Sequence, residues 1–257
     1  MKAVILAAGV GVRLRPLTLS QPKCLVTFRG KSLLRNQLEI LEKVGLEECV
    51  IVLGHYGKMV VEHFGSRFGS MGITYVENPW FYQTNNLYSL WVARKEIQDE
   101  ILLLESDLIF EYELIAEVLN APRSDVAVTD KFQDGMDGTV VFEENDLIQS
   151  MILKANQPKG FNYSEAQKTV NVYRFGKNTV SELLVPNLTR FVELGRVNEF
   201  YESVLADLVA NSGLLMYVHN VGNHLWAEID NLQDLDRAEG IFNSLDSSLK
   251  SKNTYLN

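Results

Sequence analysis

The sequence has 257 residues, of which 46% are hydrophobic and 22% are charged. This composition excludes a disordered chain and fits one large or two small α/β domains. The formal net charge of −9 disfavours nucleic acid or a membrane surface as a partner, because both are anionic and attract a basic face. A small anion needs only a local cluster of cations, and this charge is compatible with one.

The cysteines and the first apolar run bear on the compartment. Cys24 and Cys49 are the only cysteines and have no CxxC neighbour, which is typical of reduced thiols in a cytoplasmic protein. The apolar start is too short for a signal peptide, and Arg13 and Arg15 follow where a cleavage site would lie. No run approaches the roughly 20 apolar residues that span a bilayer. The sequence carries no signal for the oligomeric state.

Buried strands and amphipathic helices alternate through the first half of the chain. The expected strands are 4–7, 49–54, 73–77, 101–107 and 125–130, and the expected helices are 31–45, 57–68, 84–97 with Thr84 as N-cap, and 112–119. This alternation predicts a mixed, mainly parallel sheet with helices on both faces, a Rossmann-like three-layer α/β/α fold. Ligands of such sheets bind outside the carboxyl ends of the strands.

The alternation stops after residue 130. We expect a hairpin turning at Glu144-Asn145, a strand over 168–175, helices over 178–194 and 199–211, strand-like segments at 214–220 and 224–230, and a closing helix over 232–245. The whole predicts a single domain over 1–245, followed by a polar tail or linker over 246–257.

Glycines and cations follow the first strand, in MKAVILAAGVGVRLRPLTLSQPK. Gly9 and Gly11 let backbone N–H groups approach an anion, and Arg13, Arg15 and Lys23 can add charge-assisted contacts. A tight turn with solvated basic residues is the alternative that the spacing leaves open. The dinucleotide fingerprint is incomplete because Leu stands in place of its third glycine, and the P-loop Gly-Lys-Ser/Thr is absent.

Carboxylates end two of the expected strands. Asp107 ends the most apolar strand and is either a capping residue or a metal ligand. Glu228 and Asp230 alternate onto one side of an extended chain, although Glu228 suits a salt bridge as well and Asp230 suits an N-cap. Three carboxylates converging near phosphates would suit Mg²⁺, which takes a few carboxylate oxygens together with phosphate and water.

A family resemblance rests on longer strings. LAAGVGVRLRPLT with the following PK, residues 6–23, closely resembles the start of the sugar-phosphate and choline-phosphate nucleotidyltransferases. The resemblance continues through TNNLYSLW (84–91), ESDLIF (105–110) and WAEIDNLQDLDRAE (226–239). Within that superfamily the chain is most similar to cytidylyltransferases acting on phosphocholine and on 2-aminoethylphosphonate. GMDGTVV (135–141) and KTVNVYRF (168–175) resemble the phosphonate-acting members.

The resemblance implies a nucleotide-binding half over about 1–130 and an acceptor-binding half over about 131–230. It implies CTP and a small phosphonate or phosphate as substrates, with Mg²⁺ on Asp107 and Asp230 and with Glu228 close by. It places Lys23 on the α-phosphate and Arg13 on the leaving pyrophosphate, whereas Arg15 has a weaker claim. The nucleotide-binding residues that it implies are Leu6, Ala7, Ala8, Gly9, Gly11, Gln83, Thr84, Asn86, Ser89 and Glu105.

The implied reaction transfers CMP from CTP to an acceptor oxygen and releases pyrophosphate. That oxygen is already ionised at neutral pH, so the chemistry needs positioning and charge neutralisation and no general base. Each of the four histidines is accordingly interpreted as structural. The alternatives are a phosphocholine cytidylyltransferase and an inactive nucleotide-binding regulatory subunit. A Rossmann oxidoreductase is disfavoured by the missing third glycine.

The acceptor residues are expected in the second half. Lys168 would bind the phosphonate, with a surface lysine as the alternative, and Asp134 and Asp137 would bind the ammonium, with a turn as the alternative. Tyr173 is the further candidate, since phosphocholine would favour an aromatic cage. Trp80 and Trp91 are two more aromatic candidates, although Trp91 lies on an apolar helical face and suits the core.

Overall fold

The computed structural model describes residues 1–133 and 135–254, with side chains described as far as residue 243. The strands are β1 (Lys2–Ala7), β2 (Thr27–Phe28), β3 (Lys31–Ser32), β4 (Glu48–Leu53), β5 (Arg67–Phe68), β6 (Met71–Glu77), β7 (Ile101–Glu105), β8 (Leu108–Phe110), β9 (Val126–Lys131), β10 (Val140–Glu144), β11 (Leu147–Ile152), β12 (Gln167–Phe175), β13 (Tyr217–Asn220) and β14 (Trp226–Glu228). The α-helices are α1 (Leu33–Lys43), α2 (Gly57–Phe64), α3 (Asn86–Val92), α4 (Tyr112–Asn120), α5 (Val185–Glu193), α6 (Glu202–Asn211) and α7 (Leu232–Thr254).

One large sheet runs in the order β10-β11-β13-β9-β12-β7-β1-β4-β6-β5. Around β1 the pairing is parallel, and Ile5 lies between Ile51 of β4 and Leu104 of β7. The second half adds β12 antiparallel to both β7 and β9. The parallel strands β1, β4 and β7 therefore end at one edge, which is where the glycine-rich segment and Asp107 begin.

Helices cover both faces of this sheet, because alternate residues of the buried strands point to opposite sides. Ile5 packs with one apolar cluster and Leu6 with another. The first cluster includes residues of α1, α2 and α4, and the second includes residues of α3, α5 and α6. The expected three-layer α/β/α fold is confirmed.

A smaller unit closes the edge where the parallel strands end. Strands β8 and β14 pair antiparallel, with Glu228 opposite Leu108. A third apolar cluster joins this pair to the start of the chain and to α7 through Leu14, Ile109, Ile229 and Phe242. This cluster holds the segment after β1, the turn after β7 and the start of α7 against one another.

Several element boundaries differ from expectation, and three of them show a clear change of structure. Helix α2 ends at Phe64, where Gly65 adopts φ 64, and β5 occupies the rest of the expected helix. The N-cap of α3 is Asn85 and not Thr84, since the Asn85 side chain accepts a hydrogen bond from the N–H of Asn86. Helix α7 continues through much of the expected polar tail.

The expected hairpin of β10 and β11 is present, but its turn is Asn145-Asp146, one residue later than expected, because both residues adopt positive φ and Glu144 still pairs with Leu147. Within the described part of the chain, no helix combines the length and apolar character that crossing a membrane requires.

Candidate active site

The glycine-rich segment lies against Lys23. Gly11 adopts φ +64, and a Cβ at this position would be 2.9 Å from Lys23 Cβ and 3.2 Å from Thr18 Cγ2. The Thr18 hydroxyl donates a hydrogen bond of 2.8 Å to the carbonyl of Gly11, which fixes the turn. A Cβ on Gly9 would meet nothing within 4 Å, because Gly9 borders an open cleft. Glycine is therefore required for packing at position 11, whereas position 9 faces a ligand space.

Lys23 is the central cation of the site. It follows Pro22 in a single helical turn, and its Nζ lies 2.5 Å from Asp107 Oδ2 and 2.7 Å from Asp230 Oδ1. Its side chain is only 12% exposed. Burial disfavours the ammonium, but the two carboxylates outweigh burial and raise the pKa of Lys23 above its ordinary value. Lys23 is thus a fixed positive charge.

Asp107 occupies the turn between β7 and β8. It does not cap a helix, because a strand follows it directly. Its Oδ2 binds Lys23, and its Oδ1 is buried and has no hydrogen-bond partner. A buried carboxylate oxygen without a donor is costly in the free protein, which indicates a position that a cationic group completes.

The Asp230 carboxylate does not cap a helix either. Asn231 caps α7, since its Oδ1 accepts hydrogen bonds from the backbone N–H groups of Gln233 and Asp234. The Asp230 carboxylate instead faces Lys23 and the guanidinium of Arg13, which lies 2.8 Å away. Burial works in the opposite direction, but these cations hold the pKa of Asp230 below its usual range.

Two clefts meet at this group of charges. The smaller has a volume of about 300 Å³ and the larger about 910 Å³. The residues that line both are Arg13, Glu105, Asp107, Phe200 and Asp230. Two ligands, one in each cleft, would therefore come together beside Lys23.

Most of the expected nucleotide residues line the smaller cleft. Those that do are Leu6, Ala8, Gly9, Gly11, Thr84, Asn86, Ser89 and Glu105. Ala7 and Gln83 lie outside the lining. The Ala7 side chain packs in the core on the opposite sheet face, and Gln83 is exposed.

Asn78 organises the wall of the smaller cleft and was missed by sequence reasoning. Its Nδ2 donates to Thr84 Oγ1 at 3.1 Å and to Ser89 Oγ at 3.0 Å, while its Oδ1 accepts from the N–H of Trp80. Asn78 directly follows β6, and this position at the carboxyl end of a parallel strand is the signal that could have identified it.

Asn86 links three elements of the same wall. Its Nδ2 donates to Glu105 Oε1 at 2.9 Å, and its Oδ1 accepts from the N–H of Tyr201 at 2.9 Å. The polar side chains expected near the nucleotide are therefore held by hydrogen bonds within the protein. This arrangement makes the wall rigid before any ligand arrives.

Lys168 lies at the floor of the larger cleft. It is 2% exposed, so the alternative of a surface lysine is wrong. Its Nζ donates to the carbonyl of Thr169 at 2.6 Å and lies 3.4 Å from Glu228 Oε2. A Cβ on Gly138 would come within 3.0 Å of the Lys168 Nζ, so the 135–139 loop closes tightly over the ammonium.

Glu228 is not a third member of the carboxylate pair at Lys23. Its oxygens face Lys168 and the Nδ2 of Asn171, the latter at 3.2 Å. Among the residues that the structure describes, no three His, Cys, Asp or Glu side chains are grouped so that they could hold a metal ion. The expected convergence of three carboxylates thus reduces to two, because β12 supplies separate partners for Glu228.

The remaining candidates for binding the acceptor are Asp137, Asp134 and Tyr173. Asp137 lines the larger cleft but is exposed and lies 3.1 Å from the Lys154 ammonium. Asp134 lies outside the described residues. Tyr173 is fully buried, packs edge-on against Tyr201 and lines neither cleft, so its expected contact with the acceptor is wrong.

Glu202 is an acidic residue of the larger cleft that sequence reasoning missed. It is the first residue of α6 and is 5% exposed, and its Oε2 is buried without a hydrogen-bond partner. Burial raises the pKa of Glu202 to about 7, against the opposing charge of Lys168. In the sequence an acidic residue at a helix start is indistinguishable from one that complements the helix dipole.

Comparison with known proteins adds a family match. The family model described as the MobA-like NTP transferase domain matches residues 3–169. The chain is 30% identical to the CMP-5'-(3-aminopropyl)phosphonate synthase of Streptomyces rubellomurinus, over 93% of this chain and 38% of that relative. It therefore spans well under half of the length of that protein.

Two further matches cover almost the whole of both partners. The chain is 25% identical to the choline-phosphate cytidylyltransferase of Streptococcus pneumoniae, over 94% of this chain and 98% of the relative. A solved structure of a CTP:phosphocholine cytidylyltransferase from Streptococcus pneumoniae matches with a TM-score of 0.76 at 24% identity, over 94% of this chain and 98% of that chain. The structural match shows that the fold is shared.

Proposed function

The chain belongs to the MobA-like NTP transferase domain family, and from this membership we propose that it is a cytidylyltransferase that transfers CMP from CTP to 2-aminoethylphosphonate. The observation that carries the proposal is the position of Lys23, held between Asp107 and Asp230 where the two clefts meet. One cleft would hold the nucleotide and the other the acceptor, with the reacting atoms beside a fixed cation.

The smaller cleft suits the nucleotide. Gly9 and Gly11 expose backbone at the end of β1, where phosphates can approach closely. Arg13 is largely exposed at the mouth and can contact the leaving pyrophosphate. The wall of Thr84 and Ser89, fixed by Asn78, would face the ribose and base. The choice of cytosine rests on similarity to the two cytidylyltransferase relatives.

The reaction would be a direct displacement. An ionised phosphonate oxygen of the acceptor attacks the α-phosphorus of CTP, a new P–O bond forms, and the bond from the α-phosphorus to the bridging oxygen breaks. Pyrophosphate leaves with the bonding electron pair. The Lys23 ammonium would offset the charge on the α-phosphoryl group, and the low exposure of Lys23 strengthens that interaction.

The donor set at Lys23 fits magnesium. Asp107 and Asp230 provide hard oxygen ligands on one centre, and the buried Oδ1 of Asp107 has no partner. These two residues would hold Mg²⁺, which when bound supplies positive charge for the triphosphate. Glu228 would not bind the metal ion directly and would instead position Lys168 through their ion pair.

The larger cleft supports a zwitterionic acceptor. Lys168 is a buried cation on its floor and would bind the phosphonate. Trp80, Trp91 and Tyr173, the aromatic residues considered for a trimethylammonium cage, are not part of its lining. The preference for an aminoalkylphosphonate over phosphocholine is supported by the similarity to the CMP-5'-(3-aminopropyl)phosphonate synthase.

Phosphocholine stays the second candidate acceptor, because the choline-phosphate relative matches over its full length and because Phe200 and Trp226 line the larger cleft. A regulatory subunit without catalysis is disfavoured by the assembled group of Lys23, Asp107 and Asp230.

Pyrophosphate release tests the proposal. Each of the four NTPs is combined with 2-aminoethylphosphonate, phosphocholine or a sugar 1-phosphate in the presence of Mg²⁺. We expect release with CTP and 2-aminoethylphosphonate. Release with CTP and phosphocholine alone would overturn the acceptor assignment and keep the reaction class. Nucleotide binding without release in any combination would favour the regulatory subunit.

A further inference from the structure

The larger cleft contains a buried carboxylate, Glu202, that feels the charge of Lys168 but leaves the direct ion pair with Lys168 to Glu228. Glu202 is 5% exposed, lines the cleft and carries an Oε2 without any hydrogen-bond partner. The hydroxyls of Tyr173 and Tyr201 are also buried without partners, and the charge of Glu202 acts on both. Of these three residues only Glu202 lines the cleft, so its carboxylate is the group that a ligand in the cleft can reach.

The other acidic residues of the site differ from Glu202 in this respect. Asp107 and Asp230 share Lys23, and Glu228 faces Lys168. Glu105 accepts a hydrogen bond from the Asn86 side chain. Asp107 and Glu202 each line the larger cleft and have a buried oxygen without a hydrogen-bond partner, but Asp107 is paired with Lys23 through its other oxygen, whereas Glu202 forms no ion pair among the described residues.

Folding alone does not account for such a residue. Burying a carboxylate whose Oε2 has no donor destabilises the folded protein, and an apolar side chain of similar size avoids that cost. An isolated buried acid that lines a cleft is explained when a ligand brings the missing cation.

We infer that Glu202 binds the primary ammonium of the acceptor and that it selects an aminoalkylphosphonate over acceptors without N–H donors. The inference rests on the proposed function. Lys168 and Glu202 line the same cleft and interact electrostatically, so a short zwitterion can place its phosphonate at Lys168 and its ammonium at Glu202. A primary ammonium offers three donors to the carboxylate, whereas a trimethylammonium group offers none.

Asp137 is a weaker partner for the ammonium. It is exposed and already forms an ion pair with Lys154 at 3.1 Å. An exposed ion pair contributes little to binding because solvent screens it, whereas a desolvated charge-assisted hydrogen bond contributes more. Discrimination between acceptors would therefore come from Glu202.

The test compares two acceptors that differ only at the cationic end. 2-Aminoethylphosphonate carries an ammonium, and propylphosphonate carries a methyl group in its place. In wild type, kcat/KM should favour the amine. Glu202→Gln should lower kcat/KM for 2-aminoethylphosphonate about 10- to 100-fold, mainly through KM, and change the value for propylphosphonate by less than about 3-fold. Glu202→Asp should restore part of the preference.

Control variants separate the outcomes. Glu113→Gln, an exposed carboxylate on α4, should behave as wild type with both acceptors. An equal loss with both acceptors in Glu202→Gln would make Glu202 structural and overturn the inference. A preference that disappears in Asp137→Asn and persists in Glu202→Gln would assign the ammonium to Asp137 and overturn it as well.

Two further results are distinguishable. If circular dichroism shows that Glu202→Gln does not fold, Glu202→Asp provides the test. The measured quantity is then the ratio of kcat/KM for 2-aminoethylphosphonate to kcat/KM for propylphosphonate. A ratio equal to that of wild type would contradict contact between Glu202 and the ammonium, because the shortened carboxylate should weaken that contact. If wild type releases no pyrophosphate with either phosphonate, the proposed function itself fails, and it fails before any variant is compared.

Discussion

Arg13 and Lys23 bind the same carboxylate oxygen. The Oδ1 of Asp230 lies 2.8 Å from an Arg13 guanidinium nitrogen and 2.7 Å from the Lys23 ammonium. Two cations from the first 23 residues therefore converge on one atom at the start of α7. Arg15, the third basic residue of the glycine-rich segment, differs from Arg13 and Lys23 because it is exposed and lines neither cleft.

Asp107→Ala should abolish turnover without unfolding the protein. The change removes one of the two carboxylates at Lys23 together with the oxygen that has no partner. We expect kcat to fall about 10³-fold or more in the pyrophosphate assay, which corresponds to roughly 4 kcal/mol of transition-state stabilisation. The far-UV circular dichroism spectrum should match wild type. Turnover close to the wild-type rate would show that Asp107 serves only the turn between β7 and β8.

Gly11→Ala should destabilise the protein and weaken catalysis together. The new Cβ needs a left-handed backbone and would lie 2.9 Å from Lys23 Cβ. We expect the free energy of unfolding to fall by about 1–3 kcal/mol, as measured by urea denaturation. Gly9→Ala is the matched variant, because its Cβ meets nothing within 4 Å. It should keep the stability of wild type but raise KM for CTP, and equal stability losses in the two variants would contradict this account.

Lys168→Met should affect the acceptor far more than the nucleotide. It removes the buried cation on the floor of the larger cleft and leaves Glu228 without its ion-pair partner. We expect kcat/KM for the phosphonate to fall about 100-fold, KM for CTP to change by less than about 3-fold, and stability to fall by about 1–3 kcal/mol. Adding Glu228→Gln should recover part of the stability. A main effect on CTP would place Lys168 in the nucleotide site.

Glu202→Gln should make the unliganded protein more stable at high pH. The pKa of Glu202 is about 7 in the folded protein against an ordinary 4.5, so the stability from this group is present below pH 4.5 and is lost as the pH rises through 7. Glutamine does not ionise, while Lys168, Glu105 and Glu228, which face this position, are unchanged. The gain over wild type should grow from near zero at pH 4.5 to about 1–3 kcal/mol at pH 8.

Denaturation curves across that range measure the difference. A gap between variant and wild type that is independent of pH would mean that Glu202 keeps its ordinary pKa.

Chelation should stop catalysis and leave the fold intact. Asp107 and Asp230 already form ion pairs with Lys23 and Arg13, so we expect folding not to require a metal ion. We expect EDTA to abolish pyrophosphate release, added Mg²⁺ to restore it, and Tm without nucleotide to change by less than about 2 °C. A large drop in Tm on chelation would indicate a structural metal.

The sequence predicts the parallel part of the fold and the proximity of Lys23, Asp107 and Asp230, because both depend on local signals. Apolar runs mark β1, β4 and β7, and Lys23, Asp107 and Asp230 all follow or end such segments. Residues placed at strand ends meet in any sheet of this kind, whatever the details of packing.

Long-range hydrogen bonding is the part that the sequence does not predict. Whether a buried acid such as Glu202 finds a partner depends on side chains far away in the chain, and periodicity carries no information about them. Tyr173 shows a second cause. Strand β12 changes register between Thr169 and Tyr173, and Asn171 adopts φ 60 there, so simple alternation does not tell which side chains of β12 reach the cleft.

The family model matches residues 3–169, but residues beyond 169 also contribute to the proposed site. The matched segment contains Lys23 and Asp107, whereas Glu202 and Asp230 come from the remainder of the chain. The proposed site is therefore built from both parts of the chain, with Asp230 and Glu202 supplied by the part that follows the matched segment. Under the proposed function, an exchange of this C-terminal part between relatives would replace a carboxylate at Lys23 together with part of the acceptor cleft, so we expect acceptor choice and rate to change together.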